Sequence, residues 1–449
     1  MDVRKEMKVE SVEEDEDKVT VATTGAKYII DKSGKFGKIS CYQMLNEERL
    51  LATIEFNHSF STLSVEGKDN LSCVFHQQTG GKISCSFLRL QINSDSLLDI
   101  YSTLGLNLSF SGNFLAEYSA QKDGNVLLID KIGGIGIYPY QGFKNIEHTN
   151  FTDKEWKINY VLSGYSRFFV SVFPPRKFNF HQSFEERIVH HGTIGPWVVD
   201  PHPTDEMLEE ANKYANVLVL HEGIWQGKLT RIGKPLKTLE DIYAESAYCC
   251  FNYLPVDEKE LIRVVKKAHS LKMKVIPYMS PFFSMAKGQD YLERLKITLD
   301  KYEFDGVYFD GISQDILYSY QMIQDARALL KDKILYVHCT SDPMKSVNIY
   351  CPFIDTYADY ILRAEGLTSF TDKYVRYVIS GYNISNSIGY ICYYHLPLDF
   401  MHKFIDKTLN ANARFYLGSP ETEREKLLKK EYFSKLQIEK EKQWKKKSW

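Results

Sequence analysis

The 449-residue chain has only eight cysteines, with no CxxC spacing and one adjacent pair, Cys249 and Cys250. That scatter excludes a disulfide framework as the organising device and fits small, reduced, buried side chains. A charge excess of one sign is also missing: 56 Lys+Arg stand against 58 Asp+Glu, a formal net charge of -2. Nothing electrostatic therefore recommends a nucleic-acid partner. No apolar run is long enough to span a bilayer, so no membrane partner is expected. The N-terminal MDVRKEMKVESVEEDEDK lacks the apolar core of a secretory leader. The expected address is cytoplasmic, with secretion as the alternative if a segment precedes it. There is no HExxH, and no GxGxxG follows a strand, so neither a metal nor a dinucleotide cofactor is expected.

Aromatic residues, by contrast, are plentiful: 30 Tyr and 26 Phe. They serve either as core filling or as platforms for sugar rings, whose apolar faces pack on aromatic ones. The chain has two rhythms. A charged segment, 1–18, precedes a stretch, 19–185, in which KVTVATTGAKYIIDKSGKFGKIS and similar runs alternate apolar with polar residues. Short alternating strands with turn signals and no helical stripe predict an all-β sandwich. FPPRKFNFHQSFEERI, with two prolines, marks the joint.

From 186 to 430 apolar strands alternate with amphipathic helices, the pattern of parallel strands covered by helices. TDEMLEEANKYA opens with Thr204 as a helix cap, and a helix is expected to start near Asp315. Eight strands are predicted, near 193–199, 216–221, 274–279, 305–310, 334–339, 356–363, 387–394 and 413–417. Eight such units predict a closed (β/α)8 barrel, with an open doubly wound sheet as the alternative. Residues 431–449 are read as a charged helical tail with a solvated face.

A barrel of this kind carries its chemistry where the strands end at their C-termini. There the sequence places His221, Glu222 and Trp225 after the second strand and Tyr278 after the third. Tyr308 and Asp310 follow in the fourth, His338 ends the fifth, and Asp359, Arg363 and Glu365 lie in or after the sixth. Tyr394 ends the seventh. Each has a plainer reading. Asp310 could cap the next helix, Asp359 could be turn or strand-end structure, and Glu365 could pair with Arg363. The two histidines could be satisfied buried groups, and Trp225 could be core.

YFDG in the fourth strand, HEGIW after the second and YADYILRAEG in the sixth together resemble retaining glycoside hydrolases of the α-galactosidase-like kind. The resemblance covers roughly residues 190–420. It implies a β-sandwich before a catalytic barrel, a carbohydrate substrate of α-linked, galactoside-like type, and an aspartate nucleophile at Asp310. Glu365 becomes the acid/base, with Asp359 in reserve. His221, Glu222, Tyr278 and His338 would hydrogen-bond sugar hydroxyls, Trp225 would stack the ring, and Tyr308, Arg363 and Tyr394 would be further substrate-binding residues. Two departures stand out: the family's lysine-x-aspartate is replaced by Tyr308-Phe309-Asp310, and Glu365 stands where relatives use aspartate. The rival readings are a metal-dependent or other barrel hydrolase and an inactive carbohydrate-binding barrel.

Overall fold

The computed structural model describes residues 3–447 apart from 46, 80, 115–117, 123, 131–132, 178–183, 193–199, 227–250, 311–314, 339–352, 354–355, 363–384, 391–396, 411–412 and 419–422. The chain forms two compact units. One comprises Val3–Lys177 with Asn348–Thr356; the other comprises Phe178–Val347 and Tyr357–Trp449 with the first two residues. Among the described residues no helix is long and apolar enough to cross a membrane.

The first unit is one large antiparallel sheet of 14 strands. Its strands show the alternation expected of a sheet with one buried face: in Lys18–Thr23 the valines Val19 and Val21 are buried while Lys18 is exposed. The charged start of the chain is not separate from the sheet, as the sequence suggested. Val9–Glu14 is a strand paired antiparallel with Lys18–Thr23. The sheet curls over its own core. Tyr28, on the third strand in the order, donates its hydroxyl to Ser96 O at 2.5 Å, beside a strand five places along. In a flat sheet those strands would stand roughly 24 Å apart. Val21, Ile30, Leu90, Ile100, Phe168 and Val170 accordingly share one apolar core. A single curled antiparallel sheet thus encloses the apolar core.

The second unit holds eight parallel strands, here β1 Ile188–His191, β2 Val217–Leu220, β3 Lys274–Pro277, β4 Gly306–Phe309, β5 Ile334–His338, β6 Tyr360–Leu362, β7 Ser385–Tyr390 and β8 Ala413–Gly418. Their order is β3-β2-β1-β8-β7-β6-β5-β4. Among the described residues the helices are α1 Asp205–Asn212, α2 Glu258–Ser270, α3 Gly288–Tyr302, α4 Ile316–Leu330, α5 Leu398–Asn410 and α6 Glu423–Lys447. Caps fix two helix starts where the sequence indicated. Thr204 accepts from Met207 N–H at the head of α1, and Asp315 accepts from Tyr318 N–H at the head of α4.

The two ends of this strand order meet. Tyr278, after β3, bridges to Tyr308 on β4. Met279 N–H donates to Tyr308 O at 3.0 Å, and Asp305 N–H donates to Val275 O at 2.9 Å. Inside, the His190 ring on β1 lies 5.2 Å from the Tyr308 ring on β4, five places away in the order. A flat sheet would hold them roughly 24 Å apart. The first strand is Ile188–His191, ahead of the predicted 193–199, which lies outside the described residues. The charged C-terminal helix runs Glu423–Lys447.

Candidate active site

Strand geometry places Asp310. In β4 the residues alternate: Tyr308 turns inward to His190, while Phe309 turns outward to Tyr291 on α3 at 6.0 Å. Asp310, two residues beyond Tyr308, is therefore on the inward side at the strand end. On β5 the same parity puts Tyr336 and His338 inward. Phe309 is level with Val337 in the parallel register, so Asp310 comes level with His338. Their side chains meet, Nδ1 of His338 lying 2.6 Å from Oδ1 of Asp310. Because α4 is capped by Asp315, Asp310 is not needed as its cap.

Among the described residues three more side chains lie beside this pair. The Tyr278 hydroxyl hydrogen-bonds the Asp310 carboxylate. Ser280 Oγ donates to Asp310 O at 2.5 Å. His221, after β2, packs its ring 5.1 Å from Tyr278 and 5.5 Å from Tyr308. Asp310 keeps 21% of its side-chain surface exposed among the described residues.

Burial pushes the Asp310 carboxyl up, but the His338 hydrogen bond and charge, the His221 charge and the Tyr278 hydroxyl together outweigh it. The group ends below its ordinary range. It is a carboxylate at neutral pH, suited to attack or to accept a proton, not to donate one. His221 moves the other way: burial lowers it to about 4 against the opposing pull of Asp310. His190, buried beside His221 and His338, is also held well below the usual imidazole value.

The interior beneath Asp310 is a layer of rings where aliphatic side chains are the commoner filling. His190 stacks on Tyr416 of β8 at 4.2 Å and meets Tyr336 of β5 edge-on at 5.6 Å. Tyr308 and Tyr336 lie 4.7 Å apart. The neighbouring His191 faces the opposite way, as adjacent strand residues must, and donates Nε2–H to Asp200 O at 2.8 Å.

The segment after β3 is held by three buried donors in succession. Trp225 Nε1–H donates to Tyr278 O, Tyr291 O–H to Met279 O, and Tyr253 O–H to Ser280 O at 2.7 Å. Trp225 is fully buried, with Tyr253 edge-on at 5.8 Å. It is a core residue anchoring the site from behind, not the exposed stacking platform the sequence suggested.

Asp359 is likewise corrected. It precedes β6 and lies level with Leu335, whose N–H donates to its Oδ2 at 2.8 Å. Arg327 Nη2 donates to the same oxygen at 2.5 Å, both side chains being almost wholly buried. Leu335 is three residues below His338, about 10 Å along the strand. Asp359 is thus a structural ion pair at the far end of the strands from Asp310. Glu222 is buried and paired with His221 Nδ1, and Tyr308 belongs to the interior layer. Arg363, Glu365 and Tyr394 lie outside the described residues.

Sequence reasoning missed Ser280, Tyr253, Tyr291 and the inward role of His190. The Met279-Ser280-Pro281 run after β3 was the available signal for Ser280. Nothing local marked the two distant tyrosines.

No family model matches the sequence, and no curated protein matches it. Solved structures overlap it weakly. A GH31 dextranase from Flavobacterium johnsoniae aligns over 95% of this chain and 68% of its own, at 8% identity and TM-score 0.42. The glucosidase II alpha subunit aligns over 96% and 60%, at 10% identity and TM-score 0.42. The cycloalternan-forming enzyme from Listeria monocytogenes aligns over 93% and 52%, at 9% identity and TM-score 0.42. The chain thus spans about half to two thirds of those proteins, and overlaps of this quality assign it no activity.

Proposed function

We propose that the second unit is a (β/α)8 barrel and that it hydrolyses glycosidic bonds by a two-carboxylate, retaining mechanism, with Asp310 as nucleophile. Eight parallel strands whose terminal members hydrogen-bond to each other support the barrel. The observation that carries the function is the inward-facing Asp310 at the C-terminal end of β4, its carboxyl group held by His338 and Tyr278. An Asp310 oxygen attacks the anomeric carbon as the bond to the leaving oxygen breaks, and a second carboxylic acid gives that oxygen its proton. Water then attacks the glycosyl-enzyme, losing a proton to the same second group and releasing Asp310. Glu365 is the residue proposed for that second role; a retaining mechanism requires the two carboxyls to lie about 5–5.5 Å apart. His221 and Glu222 would contact sugar hydroxyls, and α-linked, galactoside-like substrates are the class proposed.

The test is a panel of aryl α- and β-glycosides of galactose, glucose and N-acetylgalactosamine, run with the wild type and Asp310→Asn. Turnover that falls roughly a thousandfold or more in the variant, with unchanged circular dichroism, supports the assignment. Turnover that survives removes Asp310 from the nucleophile's role. Wild-type protein that turns over nothing on the panel overturns the substrate class.

A further inference from the structure

The sequence of α6 reads as a solvated, charged helix, yet one stripe of it lines a cavity. Phe433, Leu436, Gln437 and Lys440 recur at the spacing of a single helix face and form one wall of a space of about 350 Å³. Phe184, Glu185 and Arg187, just ahead of β1, and Lys213 and Tyr214, just ahead of β2, form the other. The cavity therefore opens at the N-terminal ends of β1 and β2, the end opposite Asp310.

Its chemistry is cationic over an aromatic floor. The Tyr214 and Phe433 rings stack at 5.7 Å with 18° between their planes. The Arg187 guanidinium lies over Phe433 at 5.8 Å. Its Nε is buried without a hydrogen-bond partner, and no carboxylate pairs with this guanidinium among the described residues. Lys440 pairs with Glu185 at 2.6 Å, and Lys213 pairs with Glu210. Both pairs are solvent-exposed, and such pairs exchange readily for a stronger anion. Lining the space are three cations, Arg187, Lys213 and Lys440, against one carboxylate, Glu185.

We propose that this cavity binds a phosphate monoester carried on a small ring-bearing metabolite. Three cations against Glu185 and Glu210 leave the Arg187 guanidinium in excess, and the two exposed lysines can exchange their carboxylate partners for the oxygens of a phosphate. The planar Arg187 fork suits its oxygens, with Lys213 and Lys440 closing on them. The Tyr214 and Phe433 rings line the space and offer apolar contact to a ligand ring. The volume falls within the range of small-molecule sites, about 300–1,000 Å³. This inference does not depend on the proposed activity.

Isothermal titration of the full chain with AMP, glucose 6-phosphate, inorganic phosphate and glucose tests it. The expected result is a Kd below about 1 mM for at least one of the two organophosphates, with inorganic phosphate about tenfold weaker and no binding of glucose. Arg187→Met should weaken that binding about tenfold or more. The double variant Lys213→Met, Lys440→Met touches only rim side chains and should weaken it too; it decides alone if Arg187→Met fails to fold by circular dichroism. Binding of neither organophosphate, equal binding of inorganic phosphate, or affinity unchanged in the folded variants would overturn the proposal.

Discussion

His338 and Asp310 sit at the same level on neighbouring parallel strands, with the imidazole Nδ1 2.6 Å from the carboxylate oxygen. The carboxylate can only accept, so the imidazole donates. Removing that donor leaves burial, which favours the neutral acid, less opposed. His338→Ala should therefore raise the Asp310 pKa and move the acid limb of the kcat/KM profile to higher pH. An acid limb that stays in place would show that His338 does not set this ionisation.

The same shift has a consequence for stability. Asp310 has a depressed pKa in the folded state, so its contribution is full above the unfolded carboxyl value and is lost as pH falls through the folded one. His221, lowered to about 4, adds to this. Between its ordinary value near 6.5 and about 4 the unfolded chain takes up a proton that the folded chain refuses. Stability measured by urea denaturation should decline across that window, and His221→Gln should flatten the decline. An equal slope in both proteins would place the loss elsewhere.

Arg327 and Asp359 form a buried ion pair away from the candidate site. Asp359→Asn should destabilise the fold by about 3–5 kcal/mol, since it leaves Arg327 charged and without this carboxylate in a dry interior. Turnover per folded molecule should be unchanged. A large loss of turnover at unchanged urea midpoint would return Asp359 to the chemistry.

Trp225 is enclosed on all sides and donates its indole N–H to Tyr278 O. Trp225→Phe should cost about 1–3 kcal/mol, the penalty for stranding that carbonyl. Sugar affinity should change little. A loss of sugar affinity without loss of stability would restore the stacking role.

The place of Asp310 at a strand end was legible in the sequence because an apolar run that stops at Asp-Gly fixes where a buried strand ends, and Asp315 announced the next helix separately. Asp359 was not. The predicted strand 356–363 enclosed it, whereas β6 starts at Tyr360, and an aspartate beside a short strand does not declare which end it occupies. The strand Ile188–His191 is too short to show a period, so the sequence did not mark it as the first strand of its sheet. In the first unit, alternation marked the strands but not their partners. Asn107–Gly112 pairs with both Arg49–Phe56 and Trp156–Phe173, residues some fifty positions away on either side. Pairing of that kind is decided by which surfaces fit, and no local pattern carries it.

The three carbonyls of Tyr278, Met279 and Ser280 each receive a buried donor from a different part of the chain. A segment pinned at three successive residues has little conformational entropy left to lose. Whatever arrives above Asp310 meets a wall ordered once, during folding, and need not spend its own binding on arranging it.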